Sequence, residues 1–215
     1  MKGDFRERAL EQAKQDSESM KAKILKAAED LFAERGFKGT TTRDIAERAG
    51  VNIALIHYHW GLKDELWNAV NANLLDQGVE FIREVLEKYP QPKTVEEGKE
   101  FISTLFNHMA ETPNVARLGN SPGVNGPEEL RIKDVAEIYF ETLCEFIKEK
   151  TPLDFSPVEP ELAVFLLLSA FNACFYRPDL LKLCFGEEPN NLSKGLRKKI
   201  GEALTVLVTR FGQVE

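Results

Sequence analysis

The most informative part of the chain is residues 40–66, which read TTTRDIAERAGVNIALIHYHWGLKDEL. Two short runs in it repeat apolar residues at helical spacing, Arg43–Ala49 and Ile53–His59, and the turn Gly50–Asn52 separates them. Glycine commonly ends a helix, and asparagine is a good N-terminal cap for the next one. Two helices joined by a turn of this length have the dimensions of a helix-turn-helix.

The residues around this stretch predict a third helix against which the pair can pack. We expect it over about residues 20–35, with Gly36 at its C-terminal end. Thr41, with Asp44 three residues later, forms a capping-box pattern that starts the next helix. The apolar residues expected to hold the three helices together are Ile24, Leu25, Ala28, Leu31, Phe32, Ile45, Ala46, Ala49, Val51 and Ile56.

The rest of the chain also predicts helices, and no stretch alternates apolar and polar residues as a strand would. We expect a long helix over about 62–88 that ends before Pro90, and residues 1–19 either extend the first helix or form a mobile arm. Further helices are expected at about 94–111, 127–150, 159–176 and 192–211. The predicted class is therefore all-α.

The composition is that of an ordinary soluble protein. Of the 215 residues, 43% are hydrophobic and 29% are charged. The longest apolar run, 162–175, is shorter than the roughly 20 residues that span a bilayer, and residues 1–20 lack the features of a secretion signal. We expect a cytoplasmic protein with no membrane association. The three cysteines lie far apart in apolar surroundings, and we expect them to be buried thiols.

The net charge of −7 is unevenly distributed. Residues 1–67 hold 12 basic and 12 acidic side chains, whereas the remainder holds 16 basic and 23 acidic ones. All the excess acidity thus lies downstream of the helix-turn-helix. Since DNA binding needs only a local cationic surface, the overall negative charge does not exclude it.

Three runs of this chain resemble the N-terminal pattern of the TetR family of transcriptional regulators (TetR/AcrR type). They are 31–37 (LFAERGF), 40–51 (TTTRDIAERAGV) and 54–66 (ALIHYHWGLKDEL), within a stretch of about 45 of the 215 residues. The resemblance implies a homodimeric regulator, favoured as a repressor, that a small ligand releases from a double-stranded DNA operator.

The resemblance also implies a division into domains. Residues 20–66 would form a three-helix DNA-binding domain after an arm or helix extension at 1–19. Residues 67–215 would form a larger helical domain for ligand binding and dimerisation, the latter through the last two helices, about 159–176 and 192–211.

Carried over by position, the resemblance places Arg43 and the exposed residues of Ile53–His59 at base edges. Phosphate contacts would come from Thr41, Tyr58, His59 and Lys63. Arg43 can form a bidentate pair with guanine, and His57 and Tyr58 can donate or stack at a base or phosphate. The residues expected at the DNA are Thr41, Thr42, Arg43, Ile53, Ala54, His57, Tyr58, His59 and Lys63.

The chain departs from the family pattern at three places. Asn52 and Ile53 stand where many relatives have serine and lysine, so an apolar contact would replace a phosphate contact. Trp60 replaces phenylalanine at a site that we expect in the core. Leu62 replaces a capping serine, so the long helix would start from Gly61 or remain uncapped, at a cost of about 0.5 to 2 kcal/mol.

The resemblance implies a ligand cavity between the middle helices. Large apolar residues with a few polar ones could line it, and these would suit a hydrophobic or aromatic ligand with a polar end. The same side chains could equally form solid core. The candidates are Phe101, Leu105, Phe106, His108, Met109, Tyr139, Leu143, Phe171, Asn172 and Phe175.

Other interpretations remain open at the sequence level. Arg43 could be a solvated surface charge and Tyr58 a cover for the helix pair. His57 and His59 point about 200° apart on a helix and cannot share one metal ion, so we expect no metal and no cofactor. The alternative functions are a helical adaptor or ligand-binding protein that does not bind DNA and, least favoured, an enzyme, because no catalytic motif is present.

Overall fold

The computed structural model describes residues 2–90, 94–120, 140–141, 143–144, 160–176, 178–187 and 192–210. Every regular element in these ranges is an α-helix. This confirms the all-α class that the helical spacing of apolar residues predicts.

The chain divides into two compact units. Among the described residues, the first consists of 2–78 with 117–120, and the second of those in 79–116 together with those from 140 onward. One long helix, described below as α5, begins in the first unit and ends in the second. The functional division at residues 66 and 67 that the resemblance implies stays a prediction.

The first unit contains the helix-turn-helix. Its described helices are α1 (Lys2–Gln15), α2 (Met20–Arg35), α3 (Thr42–Ala49), α4 (Ile53–Trp60) and the start of α5 (Lys63–Lys88). α2 packs against α1 and α3, and α4 packs against α3 and α1. The bounds expected for α2, α3, α4 and α5 are confirmed to within one residue. This is because capping residues and helix-ending residues can be recognised in the sequence.

The N-terminal residues form a helix of their own and do not extend α2. The break has a local cause: the Asp16 carboxylate accepts the Glu18 N–H at 3.0 Å, and the Ser19 hydroxyl donates to the Asp16 carbonyl at 2.6 Å. The Ser19 oxygen then accepts the Ala22 N–H at 3.2 Å and caps α2. Side chains that bond to nearby backbone in this way compete with helix continuation.

Aromatic side chains lie at the centre of the first unit. Phe32 of α2 meets the Trp67 ring edge-on, with 5.0 Å between ring centroids, and Phe37 contacts both rings. Trp60 is 0% exposed, which confirms its expected place in the core. Buried rings in such edge-to-face contacts stabilise a core beyond the area that they bury.

The start of α5 lacks an N-cap side chain, which is one of the two alternatives that the sequence predicted. The helix begins at Lys63, after Leu62, whose side chain has no oxygen to accept a helix N–H. The Leu62 N–H donates to the Glu65 carboxylate at 2.7 Å. Glu65 thus supplies the returning half of a capping box, and its position in the first turn is favourable for a negative charge.

The second unit is a helical bundle around one apolar cluster. Beyond α5, the structure contains α6 (Val95–Glu111), α7 (Pro113–Asn120), α8 (Pro160–Tyr176), α9 (Pro178–Phe185) and α10 (Lys194–Arg210). Residues 117–120 of α7 belong to the first unit. α10 packs against α6 and α8, and α8 also packs against α9. The buried cluster includes Phe101, Ile102, Leu105, Phe106, Leu143, Val164, Leu167, Leu181, Leu192 and Leu196.

The helices α6, α8 and α10 confirm the expected elements to within two residues, but α7 and α9 were not predicted. Both begin with a proline, Pro113 and Pro178. A proline suits the first position of a helix as well as it ends one, so the sequence alone suggested a break at these positions. The helix expected at 127–150 lies mostly outside the described residues, although 140–141 and 143–144 are helical.

The cysteines differ in environment. Cys144 is buried as expected, but Cys184 is exposed near the end of α9, so the expectation of a buried thiol is wrong there. The Cys174 side chain lies outside the described part of the chain. None of the described helices is both long and apolar enough to cross a membrane.

Candidate nucleic-acid interface

The turn between α3 and α4 is fixed by its backbone. Gly50 adopts a left-handed conformation, with φ 67° and ψ 34°. The Val51 N–H then donates to the Ala46 carbonyl at 2.9 Å, which closes the end of α3. The Asn52 side chain accepts the Ala54 N–H at 2.9 Å and starts α4. The expected helix-turn-helix is therefore present with both helix ends capped.

The N-terminus of α3 carries the expected capping box. The Thr41 N–H donates to the Asp44 carboxylate at 2.8 Å, and the Asp44 N–H donates back to the Thr41 hydroxyl at 3.2 Å. The Thr41 hydroxyl also donates to this carboxylate at 2.6 Å. These bonds lower the pKa of Asp44 from its ordinary value of 3.8. The Thr41 hydroxyl proton, which we expected at a phosphate, is thus engaged within the protein.

An ion pair connects α2 to α3. The Arg48 guanidinium donates to both carboxylate oxygens of Glu34, at 3.2 and 3.0 Å. These hydrogen bonds lower the pKa of Glu34 from its ordinary value of 4.5. The bidentate geometry holds α3 in one orientation on α2.

The two sides of α4 differ sharply in exposure. Ile56 and Trp60 are buried, whereas Ala54, His57 and Tyr58 are exposed, and Tyr58 retains 69% of its surface. Positions three and four residues apart share one side of a helix. Of the residues expected at the DNA, the fold thus brings Ala54, His57 and Tyr58 together on a single accessible side of α4.

Residues of α3 and the start of α4 complete the surface. Arg43 is exposed, and Thr42 and Ile53 are half-buried. The first N–H groups of any helix have no partner within it, and here they belong to Thr42 and Arg43. An exposed guanidinium beside such N–H groups can bind an anionic or hydrogen-bond-accepting partner.

His57 has its orientation set by the end of its own helix. Its Nδ1 lies 3.0 Å from the Gly61 carbonyl oxygen. Because a carbonyl only accepts, Nδ1 carries the proton and donates. The Nε2 atom of the neutral ring is then an acceptor, suited to a base amino group, and it becomes a donor only when the ring is protonated.

His59 is placed differently from its neighbours. It is half-buried and lines a groove with residues of α1, of the turn after α1 and of the start of α2. Its Nδ1 is buried and has no hydrogen-bond partner among the described residues. Burial, and then the charge of Lys21, lower the pKa of His59 from its ordinary value of 6.5. The fold does not bring His59 to the side of α4 that exposes His57.

Lys63 contacts the loop that precedes α3. Its ammonium donates to the carbonyl oxygens of Phe37 and Thr40, both at 3.0 Å, and lies 4.0 Å from the centre of the Phe37 ring. No local pattern indicated this role, because both partners are more than twenty residues away. A phosphate contact by Lys63 stays a prediction.

The residues expected to line a ligand cavity fall into three groups. Phe101, Leu105, Phe106 and Leu143 lie in the buried cluster of the second unit, with Met109 packed against it. His108 is half-buried and stacks on Phe81, with 3.5 Å between ring centroids, and burial lowers its pKa. Tyr139 and the side chains of Phe171, Asn172 and Phe175 lie outside the description.

Together, the fixed turn, the capped helices and the exposed side of α4 define a helix-turn-helix domain. Residues 24–70 match the family model described as bacterial regulatory proteins, tetR family. This match confirms, for residues 24–70, the TetR-family resemblance that the sequence predicted.

Individual transcriptional regulators are similar to part of this chain. The HTH-type transcriptional repressor Rv3405c of Mycobacterium tuberculosis (strain ATCC 25618 / H37Rv) is 55% identical over 53 residues, which are 25% of this chain and 28% of that protein. The match thus spans little more than a quarter of the length of such relatives.

The likeness to solved structures covers far more of the chain. The TetR family regulator PfmR from Thermus thermophilus has a TM-score of 0.64 at 21% identity, over 89% of this chain and 96% of that one. FadR from Bacillus subtilis, solved in complex with stearoyl-CoA, has a TM-score of 0.58 at 19% identity, over 87% and 96%. At these identities the likeness shows the fold, which is that of TetR-type regulators.

Proposed function

We propose that this protein is a DNA-binding transcriptional regulator, acting as a repressor, that a small hydrophobic ligand releases from its operator. One observation supports this most directly: a TetR-family helix-turn-helix holds α4 by Ile56 and Trp60 and exposes its opposite side. An α-helix exposed in this way fits the major groove of DNA, which is about 12 Å wide. Because this role requires access to DNA, we place the protein in the cytoplasm.

The DNA contacts follow from the surface described above. Arg43 would form a bidentate pair with O6 and N7 of a guanine, and the N–H groups at the start of α3 would bind a phosphate. Tyr58 would donate to a phosphate or stack at a base edge. Ala54 and Ile53, which are apolar, would contact thymine methyl groups.

The test is selection of bound duplexes from a random DNA pool, followed by titration of the Arg43→Ala variant. We expect a loss of about five- to 150-fold on the selected duplex, the range for one base contact. Arg83→Ala is the matched control, because Arg83 is an exposed arginine of α5 outside the motif. Failure of the unmodified protein to select any duplex at low salt would contradict the proposal.

Dimerisation would occur through α8 and α10. Leu162, Phe165 and Leu166 lie on one side of α8 and are exposed, whereas Val164 and Leu167 on the other side are buried in the bundle. Large apolar side chains clustered at i, i+3 and i+4 on a surface are typical of a helix that packs against a partner. A second copy of this chain is the partner that the family resemblance implies.

The effector would bind in the second unit. FadR of Bacillus subtilis, which shares the fold, was solved with stearoyl-CoA, and this supports an apolar ligand here too. We propose Phe101, Leu105, Phe106, Met109, Leu143, Phe171 and Phe175 as apolar contacts, with His108, Tyr139 and Asn172 as polar ones. Binding would change the direction of α5, which continues from one unit into the other.

A gel-shift titration with candidate ligands tests the effector proposal. A ligand that binds the protein and weakens operator binding would support it. DNA affinity that never changes with any bound ligand would contradict it. The main alternative is a helical adaptor or ligand-binding protein that does not bind DNA. Either would select no duplex, and only the ligand-binding protein would bind a ligand.

A further inference from the structure

Helix α1 lies outside the residues that match the TetR family, since the match begins at residue 24. It is nevertheless part of the first unit and packs against both α2 and α4. Ala9 is 2% and Ala13 is 5% exposed, one helical turn apart on the same side of α1. Two buried alanines at this spacing allow a close approach of α1 to its neighbours.

His59 of α4 lies near the C-terminal end of α1. This side chain borders a groove of about 350 Å³ together with Gln12, Gln15, Asp16, Ser19, Met20 and Lys21. The preceding residue along the chain, Tyr58, meets the His59 ring edge-on, with 4.9 Å between ring centroids. His59 thus lies between the end of α1 and a side chain on the exposed side of α4.

α1 is also held by contacts that do not involve α4. Lys14 forms an ion pair with Asp76 of α5 at 2.5 Å, and Lys21 of α2 donates to the side chain of Gln12. α1 is thereby fixed to α2 and α5, and it contacts α4 from a fixed position. An element with such contacts can limit how far α4 rotates on α3.

We propose that α1 positions α4, the helix that would enter the DNA groove. The packing of α1 through Ala13, together with His59 on α4, sets the orientation of α4 and thereby of His57 and Tyr58. This inference rests on the proposed DNA-binding function. It assigns His59 to contacts within the protein, in place of the phosphate contact that the family resemblance implies.

The proposal makes a prediction about specificity. Hydrogen bonds to base edges require an accurately placed helix, whereas contacts with the phosphate backbone tolerate small shifts. Loosening α1 therefore weakens binding to the selected operator and leaves binding to unrelated DNA almost unchanged. A purely structural role for α1 would not change the ratio of the two affinities at a temperature where the protein is folded.

The experiment uses the full-length Ala13→Leu variant, in which a larger side chain displaces α1. Fluorescence anisotropy measures binding to the selected duplex and to a scrambled duplex of equal length, at several salt concentrations. Circular dichroism reports folding. We expect roughly a tenfold loss of affinity on the selected duplex, less than about a twofold loss on the scrambled one and an unchanged salt dependence. Gln77→Leu, at an exposed residue of α5 that does not line the groove, is the control.

His59→Gln removes the ring without overpacking and gives a second route if Ala13→Leu does not fold. We expect the same selective loss. Equal losses on both duplexes, or a weaker salt dependence, would assign α1 or His59 to the phosphates and overturn the proposal. A lower melting temperature with unchanged affinities would also overturn it. If the unmodified protein selects no duplex, the proposed function fails before this inference is reached.

Discussion

Lys63 holds the loop that precedes α3. Its ammonium has three N–H donors, and two of them hold the carbonyls of Phe37 and Thr40. The loop that it holds leads directly into the N-terminus of α3. Lys63 therefore positions that helix end whether or not its third donor reaches a phosphate.

Replacing Lys63 with methionine retains the aliphatic stem and removes the donors. We expect a loss of about 1 to 3 kcal/mol in the free energy of unfolding, measured in urea, because two charge-assisted hydrogen bonds are lost. Lys38→Met, at an exposed lysine of the same loop, should change stability by less than about 0.5 kcal/mol. Equal stability of the two variants would contradict the role assigned to Lys63.

The same variant tests the phosphate contact. If Lys63 also neutralises a phosphate, the slope of log K against log salt becomes shallower by about 0.9. If its role is confined to the loop, affinity falls with no change in slope.

A glycine is required at position 50 because of its backbone conformation, and not because a side chain would clash with neighbouring atoms. Its φ of 67° disfavours any other residue, although an added Cβ would meet nothing within 4 Å. Gly50→Ala should therefore cost about 1 to 2 kcal/mol in the free energy of unfolding. Gly195→Ala is the matched control: this glycine lies in the first turn of α10, and an added Cβ would make only an ordinary contact at 4.0 Å with the Ser193 hydroxyl, so we expect no loss of stability. Equal losses at both sites would contradict the conformational argument.

At the scale of elements, the link between α2 and α3 should depend on pH. The pKa of Glu34 is lower in the folded protein than its ordinary value of 4.5, because Arg48 donates to the carboxylate. The unfolded chain therefore binds this proton first as the pH falls. The contribution to stability is fully present well above pH 4.5 and is lost as the pH falls through the lowered pKa.

We expect urea unfolding to show a fall in stability below about pH 5, with a smaller fall for Glu34→Gln, which cannot titrate. Asp44, whose pKa is also lowered, titrates in both proteins and serves as the internal comparison. An identical pH dependence in the variant and the unmodified protein would show that Glu34 contributes nothing to the link.

The sequence predicted the elements of the first unit closely because their ends are encoded locally. Thr41, Asp44, Gly50 and Asn52 each act on residues within four positions, so propensity and capping rules suffice. Periodicity also predicted the buried side of α4. The partners of Lys63 and the groove beside His59 depend on tertiary packing, and no local pattern reports them.

The separate helix α1 and the short helices α7 and α9 were not predicted, and the residue that bonds at the start of α5 was also missed. The α1–α2 break depends on hydrogen bonds of Asp16 and Ser19 that a helical pattern hides. The start of α5 depends on Glu65, whose capping role is visible only once Leu62 is known to precede the helix. Polar residues and prolines at these sites are compatible with either the end or the start of a helix. The sequence pattern alone does not decide between the two.

At the scale of the whole molecule, the exposed apolar side of α8 makes a prediction about assembly. Phe165 is 58% exposed, and Phe165→Asp places a charge where a partner copy would pack. We expect light scattering to report a monomer for this variant and a dimer for the unmodified protein. Leu183→Asp, at an exposed leucine of α9, is the control and should remain dimeric. A dimeric Phe165→Asp variant would exclude this side of α8 as the interface.

The contrasting environments of Cys184 and Cys144 allow movements within such a dimer to be measured. Cys184 is accessible to thiol-reactive reagents, whereas Cys144 is shielded. With Cys174 changed to serine, a nitroxide at Cys184 would label each copy once without introducing a new attachment point. Pulsed electron paramagnetic resonance would then give the separation of two labels directly, with and without bound effector.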